Sequence, residues 1–203
     1  KLFEIVKKEK KDRIDMIIED INKKMFLDIK KPVVPNYIFN YQNKFSEIKD
    51  YVVICPDSNS PYRKMPESTL MKLCKLECGN KNVILLSKDK IEIDGLDNFY
   101  NLSGETSILD IFNIIYNSNK VYTVDSAALH ISCLFKKDTK AFFGPIDSSW
   151  RNKYYKDNIK FYEKDIPCRP CNDIGCDDIE CMCYSDEEIL DIVFDFWGEK
   201  LYD

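Results

Sequence analysis

Short apolar runs alternate with amphipathic stretches along most of the chain beyond residue 48. Apolar runs bounded by polar or turn residues are typical of buried strands, and they occupy positions 51–55, 83–86, 99–102, 121–124, 141–143 and 159–162. Apolar residues at helical spacing separate several of these runs, at 66–78, 107–117 and 126–135. A capping box at Ser185 and Glu188 predicts a final helix that runs to about Trp197.

This alternation predicts the fold class. Parallel strands joined by helices need right-handed crossovers, which place helices on both faces of the sheet. The predicted class is therefore α/β, with a Rossmann-like three-layer domain built on a mostly parallel sheet of about six strands.

The first 48 residues follow a different pattern. Residues 1–28 carry apolar side chains at helical spacing among many charged ones, which predicts one or two amphipathic helices. Pro32 and Pro35 then interrupt the pattern, because a proline lacks a backbone donor and pushes its predecessor toward extended geometry. We predict an N-terminal helical segment and linker over 1–48 and a compact domain over 49–203.

Composition excludes some classes of protein. With 203 residues, 44% of them apolar, the chain can bury a substantial core, and its formal charge of −5 is spread without an extended basic face for a nucleic acid. No apolar run approaches the roughly 20 residues of a membrane-spanning helix, and the first residues lack the apolar core of a signal peptide. These features favour a cytoplasmic protein and leave open a peripheral position at the inner face of a membrane.

The loops that follow the predicted strands form the candidate site, since ligands of open parallel sheets bind beyond the carboxyl ends of the strands. The loop at 56–66 carries Ser58, Ser60, Arg63 and Lys64 just before a predicted helix start. A helix N-terminus carries about half a positive charge, so this loop predicts a phosphate site in which Lys64 or Arg63 neutralises the rest. The alternative is a solvated loop with incidental cations.

A second corner follows the strand at 121–124. Ser126 is the predicted N-cap of the next helix, and the small Ala127 lets a ligand approach the backbone. Asp125 can accept hydrogen bonds from sugar hydroxyls or cap its own helix. His130, the only histidine of the chain, lies one turn into that helix, where it can donate to a phosphate or serve as a core histidine bonded to the backbone.

Four motifs in this order resemble the C-terminal half of glycosyltransferase family nine, the heptosyltransferase-like enzymes. These are the loop at 56–66, residues 102–109, residues 124–133 and Phe143-Gly144-Pro145, and the resemblance covers about 45–195. It implies a two-lobed GT-B fold of facing Rossmann-like domains, of which this chain is the donor-binding lobe. It also implies inverting transfer of a heptose- or hexose-like sugar from a nucleoside-diphosphate sugar to a saccharide or lipid-linked acceptor, as in lipopolysaccharide or glycan biosynthesis.

Carried over residue by residue, the resemblance implies roles at the candidate site. The 58–64 loop would contact the donor phosphates, Asp125 the sugar, His130 the pyrophosphate, and the 102–107 loop the nucleoside. The implied donor-binding residues are Ser58, Ser60, Lys64, Leu102, Ser103, Asp125, Ser126, Ala127 and His130. No metal or other cofactor is implied for catalysis, because cationic side chains and helix N-termini can offset the charge of the leaving group.

The N-terminal lobe of the family holds the acceptor and the expected catalytic base, and residues 1–48 resemble only its last helix and the linker. We therefore assign no catalytic base and expect that lobe to come from an upstream part of the protein or from a partner chain. The alternative is a non-catalytic nucleotide-sugar-binding or assembly module that lacks the acceptor lobe.

Nine cysteines form two groups. Four lie in apolar patterns, as buried thiols of a reducing compartment do, and five are crowded into a Cys-rich loop over 168–183. Four thiolates can hold a structural zinc ion or an iron–sulfur cluster, whereas disulfides and free thiols are the alternatives. The ligands that the family resemblance supports are Cys168, Cys171, Cys176 and Cys181. Their place before the final helix predicts a structural staple, and a zinc-dependent interaction domain is a third hypothesis for the whole chain.

Overall fold

The computed structural model describes residues 13–28, 30, 44–151, 158–171, 176 and 179–195 of the protein. Six strands in this part form one sheet: β1 (Tyr51–Cys55), β2 (Asn82–Leu85), β3 (Phe99–Asn101), β4 (Lys120–Val124), β5 (Asp138–Phe143) and β6 (Ile159–Glu163). The α-helices of this part are α1 (Arg13–Met25), α2 (Glu67–Cys78), α3 (Ile108–Asn117), α4 (Ala127–Leu134) and α5 (Asp186–Phe194).

The sheet has the order β3-β2-β1-β4-β5-β6, and all five pairings are parallel. This confirms the predicted α/β class and the parallel sheet. The strand order reverses between β1 and β4, so these two neighbours form the topological switch point where α/β sheets bind ligands. Cys55 at the end of β1 lies opposite Thr123 near the end of β4, so the two following loops leave the sheet at the same level.

Both faces of the central strands β1, β2 and β4 are buried along most of their length, which explains why these strands appear as continuous apolar runs. Val52 and Ile54 of β1 point to one face, into the apolar cluster under α2 and α5. Tyr51 and Val53 point to the other face, into the cluster under α3 and α4. Side chains alternate between the two faces of a strand, so one short run serves both cores.

The N-terminal helix α1 packs on the β5 side of the sheet. Met16 lies in an apolar cluster with Leu129, Phe143 and Trp150. The predicted amphipathic segment over 1–28 thus contains one described helix, and its residues 1–12 lie outside the described residues, as do 31–43 of the predicted linker and the predicted helix end at Trp197. None of the helices in the described ranges combines the length and the apolar content needed to cross a membrane.

Strand β5 begins at Asp138, before the predicted start at 141. The difference arises from Lys140, which is only 1% exposed although it carries a charge. Its ammonium group donates to the carbonyl of Val193, at 3.1 Å, and lies 3.1 Å from a carboxylate oxygen of Asp195 at the end of α5. Burial and the nearby charge of Lys120 lower the pKa of Lys140. A lysine that caps a distant helix has the local sequence signature of a solvated residue, so the pattern alone begins the strand too late.

Candidate functional site

A cavity of about 950 Å³ lies at the switch point, between the loops that follow β1 and β4. One part of its wall is polar and charged, and another is formed by Ile14 and Ile17 of α1 with Ile108 and Ile111 of α3. The cavity therefore offers a charged surface and an apolar surface side by side.

The structure brings six of the nine predicted donor-binding residues to this cavity: Ser58, Lys64, Asp125, Ser126, Ala127 and His130. Ser60, Leu102 and Ser103 are not part of its wall. Ser60 precedes a short 3₁₀ helix, Pro61–Arg63, and its N–H lies 3.4 Å from the hydroxyl of Ser58. Ser103 is 2% exposed and holds its own loop together, since its hydroxyl accepts from the N–H of Ile91 at 2.9 Å. Leu102 packs against the apolar cluster under α3 and α4.

Asp125 is the buried centre of the charged wall. Nη1 of Arg63 lies 3.0 Å from one carboxylate oxygen, and Nε of Arg151 lies 3.4 Å from the other. The same Nη1 group of Arg63 donates to the backbone carbonyl of Asp125 at 3.2 Å. Ser126 is the N-cap residue of α4. The carboxylate of Asp125 therefore pairs with two arginines and does not cap its own helix.

Arg151 is the member of this group that sequence reasoning missed. It follows a second 3₁₀ turn, Ser148–Trp150, between β5 and β6. No local pattern marks it as a site residue, because its partner Asp125 follows a different strand. Its signal is the topology itself, since β5 lies beside β4 and the turn after β5 opens on the same end of the sheet.

Lys64 lies at the charged wall between two carboxylates. Its ammonium nitrogen is 3.4 Å from Asp57 and 3.7 Å from Asp89, and its side chain is partly exposed. Burial raises the pKa of Asp57, but hydrogen bonds from Ser87 and Lys88 and the charge of Lys64 together lower it below its ordinary value of 3.8. A phosphate at Lys64 would therefore compete with two anions already in place.

The start of α4 is open toward the cavity. Ser126 is the N-cap residue, as predicted, but its side chain makes no capping bond and lies 3.2 Å from the hydroxyl of Thr123. Ala127 is exposed, and so is His130 one turn later, which removes the alternative of a core histidine. Ser58 donates to the carbonyl of Asp125 at 3.1 Å and so ties the loop after β1 to this corner.

Arg169 attaches the Cys-rich loop to neighbouring parts of the chain. This guanidinium lies 2.7 Å from Glu163 and donates to the carbonyls of Lys164, at 2.7 Å, and Ile146, at 3.3 Å. The N–H of Cys171 donates to the carbonyl of Pro145 at 3.1 Å. These bonds attach Arg169 and Cys171 to the residues around the end of β5.

In their described positions, the cysteine side chains do not form the predicted metal centre. All nine are free thiols, so the structure contains none of the disulfides considered above. Burial raises the pKa of Cys181 to about 11; the charge of Arg169 acts against this, and Cys171, Cys176 and Cys168 lie near enough to add to it. Among the residues described, however, no three His, Cys, Asp or Glu side chains converge in a way that could hold a metal ion.

Sequence comparison identifies relatives of the chain. Residues 30–180 match the family model described as Glycosyltransferase family 9 (heptosyltransferase). Lipooligosaccharide heptosyltransferase 2 of Campylobacter jejuni serotype O:2 is 30% identical over 76 residues, which are 37% of this chain and 24% of that protein. The enzyme of serotype O:6 is 32% identical over 76 residues. The matched segment thus spans about a quarter of the length of these curated relatives.

Solved structures share the fold. The Escherichia coli ADP-heptose lps heptosyltransferase II superimposes with a TM-score of 0.58 at 15% identity, over 74% of this chain and 47% of that chain. The dodecameric iron-containing heptosyltransferase TibC, solved in complex with ADP-D-beta-D-heptose, gives a TM-score of 0.57 at 11% identity, over 71% and 44% of the two chains. The sheet and its helices therefore correspond to about half of each of these proteins.

Proposed function

Because the chain belongs to glycosyltransferase family 9, we propose that residues 49–203 are the donor-binding lobe of an enzyme that transfers a sugar from a nucleoside diphosphate. The proposed acceptor is a saccharide or a lipid-linked glycan, and the proposed sugar is heptose- or hexose-like. Two of its structural neighbours are heptosyltransferases by description, and one of them was solved with ADP-D-beta-D-heptose.

The observation that carries the proposal is the pairing of two surfaces in one cavity at the switch point. The charged wall includes the cations Arg63, Lys64, Lys88 and Arg151, against the carboxylates Asp57, Asp89 and Asp125. Phosphates are bound by such cations together with the N–H groups of a helix N-terminus, here that of α4. The isoleucine wall suits the apolar face of a nucleobase. A nucleoside diphosphate has both parts in one molecule.

The chemistry of the transfer assigns a task to the charged wall. The bond between C1 of the sugar and the diphosphate oxygen breaks while an acceptor hydroxyl oxygen attacks from the opposite side, which inverts the configuration. The hydroxyl proton passes to a base, which we place in the other lobe of the two-lobed fold. Negative charge then grows on the leaving diphosphate, where fixed cations stabilise the transition state more than the ground state. We propose that these side chains supply that neutralisation without a catalytic cofactor.

Binding experiments test this function. We expect the protein to bind at least one of ADP-heptose, UDP-glucose and GDP-mannose in isothermal titration calorimetry, and Arg63→Ala to weaken that binding at least tenfold, as expected for loss of a charge-assisted contact. Lys75→Ala, on the exposed surface of α2 outside the cavity, is the matched control. Absence of binding to all three donors, or equal affinity in Arg63→Ala, would contradict the proposal.

The non-catalytic module remains a distinct alternative for the same cavity, since donor binding alone does not require transfer. An enzyme releases the nucleoside diphosphate when both lobes and an acceptor are present, whereas a binding module retains the intact donor. Chromatographic assay for released nucleoside diphosphate with the complete two-lobed protein separates the two.

We also propose a structural metal ion, zinc or iron, at Cys168, Cys171, Cys176 and Cys181. Support comes from the electrostatic influence of the other three thiols on Cys181 and from the structural neighbour TibC, which is an iron-containing heptosyltransferase. The described geometry does not place them as a ligand set, so metal binding would require the thiols to move together. Buried free thiols favour a reducing compartment, so we place the protein in the cytoplasm, at the inner membrane face where its acceptor is lipid-linked.

A further inference from the structure

Two guanidinium groups from distant parts of the chain converge on one buried carboxylate. The Asp125 side chain is 5% exposed, while the side chains of Arg63 and Arg151 are 23% and 12% exposed. The single charge of Asp125 does not neutralise both guanidinium groups. Where little solvent reaches such a group, a further anion stabilises it.

We propose that Arg151 is a second phosphate-binding residue of the cavity and that Asp125 is a positioning residue for Arg63 and Arg151. The proposal rests on the function above and specifies it, because the two arginines together would recognise the diphosphate group of the donor.

The donor capacity of Arg151 supports this role. Its Nε faces Asp125, and its Nη1 lies 3.4 Å from the carbonyl of Trp150. A guanidinium carries five N–H donors in a planar fork, so these two contacts do not exhaust it. The side chain also belongs to the cavity wall, which gives a ligand access to the remaining donors.

The turn that carries Arg151 is firmly held. The N–H of Arg151 donates to the carbonyl of Ser148 at 2.7 Å, and the N–H of Ser148 donates to Glu163 at 2.7 Å. Trp150 is buried in the apolar cluster beneath the turn. A guanidinium on such a support loses little further freedom when it binds, which favours affinity. Glu163 also pairs with Arg169, so the same carboxylate connects this turn to the Cys-rich loop.

The contacts of Asp125 support its positioning role. Both of its carboxylate oxygens face guanidinium groups. Charge-assisted contacts of this kind are among the stronger hydrogen bonds, so the carboxylate holds both guanidinium groups in place. Its carboxylate therefore acts on the ligand through the arginines.

The test of Arg151 is the affinity of the protein for ADP, UDP and GDP, measured at several salt concentrations for the wild type, Arg151→Gln and Arg151→Lys. We expect Arg151→Gln to weaken binding of the preferred diphosphate about tenfold or more and to reduce the dependence of affinity on salt, because one ionic contact is lost. We expect Arg151→Lys to keep most of the salt dependence but not the full affinity. A purely structural role would leave the salt dependence unchanged.

The outcomes separate this inference from the proposed function. If the wild type binds none of the three diphosphates, both fall; if it binds one and Arg151→Gln binds it equally well, only the role of Arg151 falls. Should Arg151→Gln not fold, Arg151→Lys decides: lower affinity at an unchanged melting temperature supports the role, and unchanged affinity overturns it.

Asp125→Asn tests the positioning role with a matched pair of ligands, the preferred diphosphate and its sugar conjugate. We expect the affinities for both to change by the same factor, because the side chain acts through the arginines. A change confined to the sugar conjugate would overturn the positioning role and indicate a direct sugar contact instead.

Discussion

Replacement of Asp125 by asparagine is the perturbation that should affect the fold of the site most. Asparagine keeps the size of the side chain and one acceptor oxygen but removes the charge shared by Arg63 at 3.0 Å and Arg151 at 3.4 Å. Removal of one partner from a buried ion pair costs about 3–5 kcal/mol, because the other charge stays buried without compensation. Arg63 is about a quarter exposed, so solvent lowers this cost, and we expect a loss of about 2–3 kcal/mol in the free energy of unfolding.

The assay is urea unfolding monitored by far-ultraviolet circular dichroism, with thermal unfolding as a second measure. For a protein of this size, the expected loss corresponds to a decrease of about 4–12 °C in Tm. Asp89→Asn is the matched control, since Asp89 lines the same cavity but is 72% exposed and lies 3.7 Å from Lys64, and its replacement should cost less than about 1 kcal/mol.

Comparison of single and double variants tests the pairing itself. If Asp125 and Arg151 interact as described, the effects of Asp125→Asn and Arg151→Gln on stability should not add, and the coupling should be about 1 kcal/mol or more. A loss in Asp125→Asn no larger than that in Asp89→Asn, together with additive effects, would refute the paired arrangement of the site.

Three further predictions concern the surroundings of the cavity. Because the pKa of Asp57 is lowered in the folded protein, its ionised form stabilises the fold above about pH 4, and this contribution is lost as the pH falls below that value. The loss of stability in Asp57→Asn should therefore be larger at pH 6 than at pH 3. A loss that does not depend on pH would contradict this. Gly144→Ala should destabilise the protein by about 1–3 kcal/mol in urea unfolding, because an added Cβ would lie 2.7 Å from Cγ of Met182; unchanged stability would show that the Cys-rich loop does not pack closely there. Metal analysis of the purified protein should find about one equivalent of zinc, or iron, that is lost in Cys168→Ser, and its absence from the wild type would contradict the proposed metal site.

The centre of the sheet could be predicted from the sequence because strands β1, β2 and β4 are buried on both faces. A run such as 51–55 has no polar position, so its boundaries are visible without knowledge of its neighbours. The same reasoning fails at Asp138–Lys140, where a buried lysine binds the carbonyl of Val193. A bond between residues so distant in sequence is fixed by tertiary packing, and the local pattern contains no trace of it.

The location of the candidate site could also be predicted, whereas its internal pairing could not. Parallel topology places the ends of β1 and β4 together, so Lys64 and Asp125 were expected near one another, and both line the cavity. Which cation pairs with which acid depends on side-chain reach: Asp125 binds Arg63 and Arg151, whereas Lys64 pairs with Asp57. Ser103 shows the converse, since a polar loop residue predicted to contact a ligand bonds its own loop instead.

The most direct test of the central claim is a crystal structure of the protein with bound ADP, or with UDP or GDP if calorimetry favours one of them. The account predicts that the diphosphate lies in the cavity between β1 and β4, with phosphate oxygens within hydrogen-bond distance of Arg63 and Arg151 and the base against the isoleucine wall. A diphosphate bound elsewhere, or one in this cavity that contacts neither arginine, would contradict it.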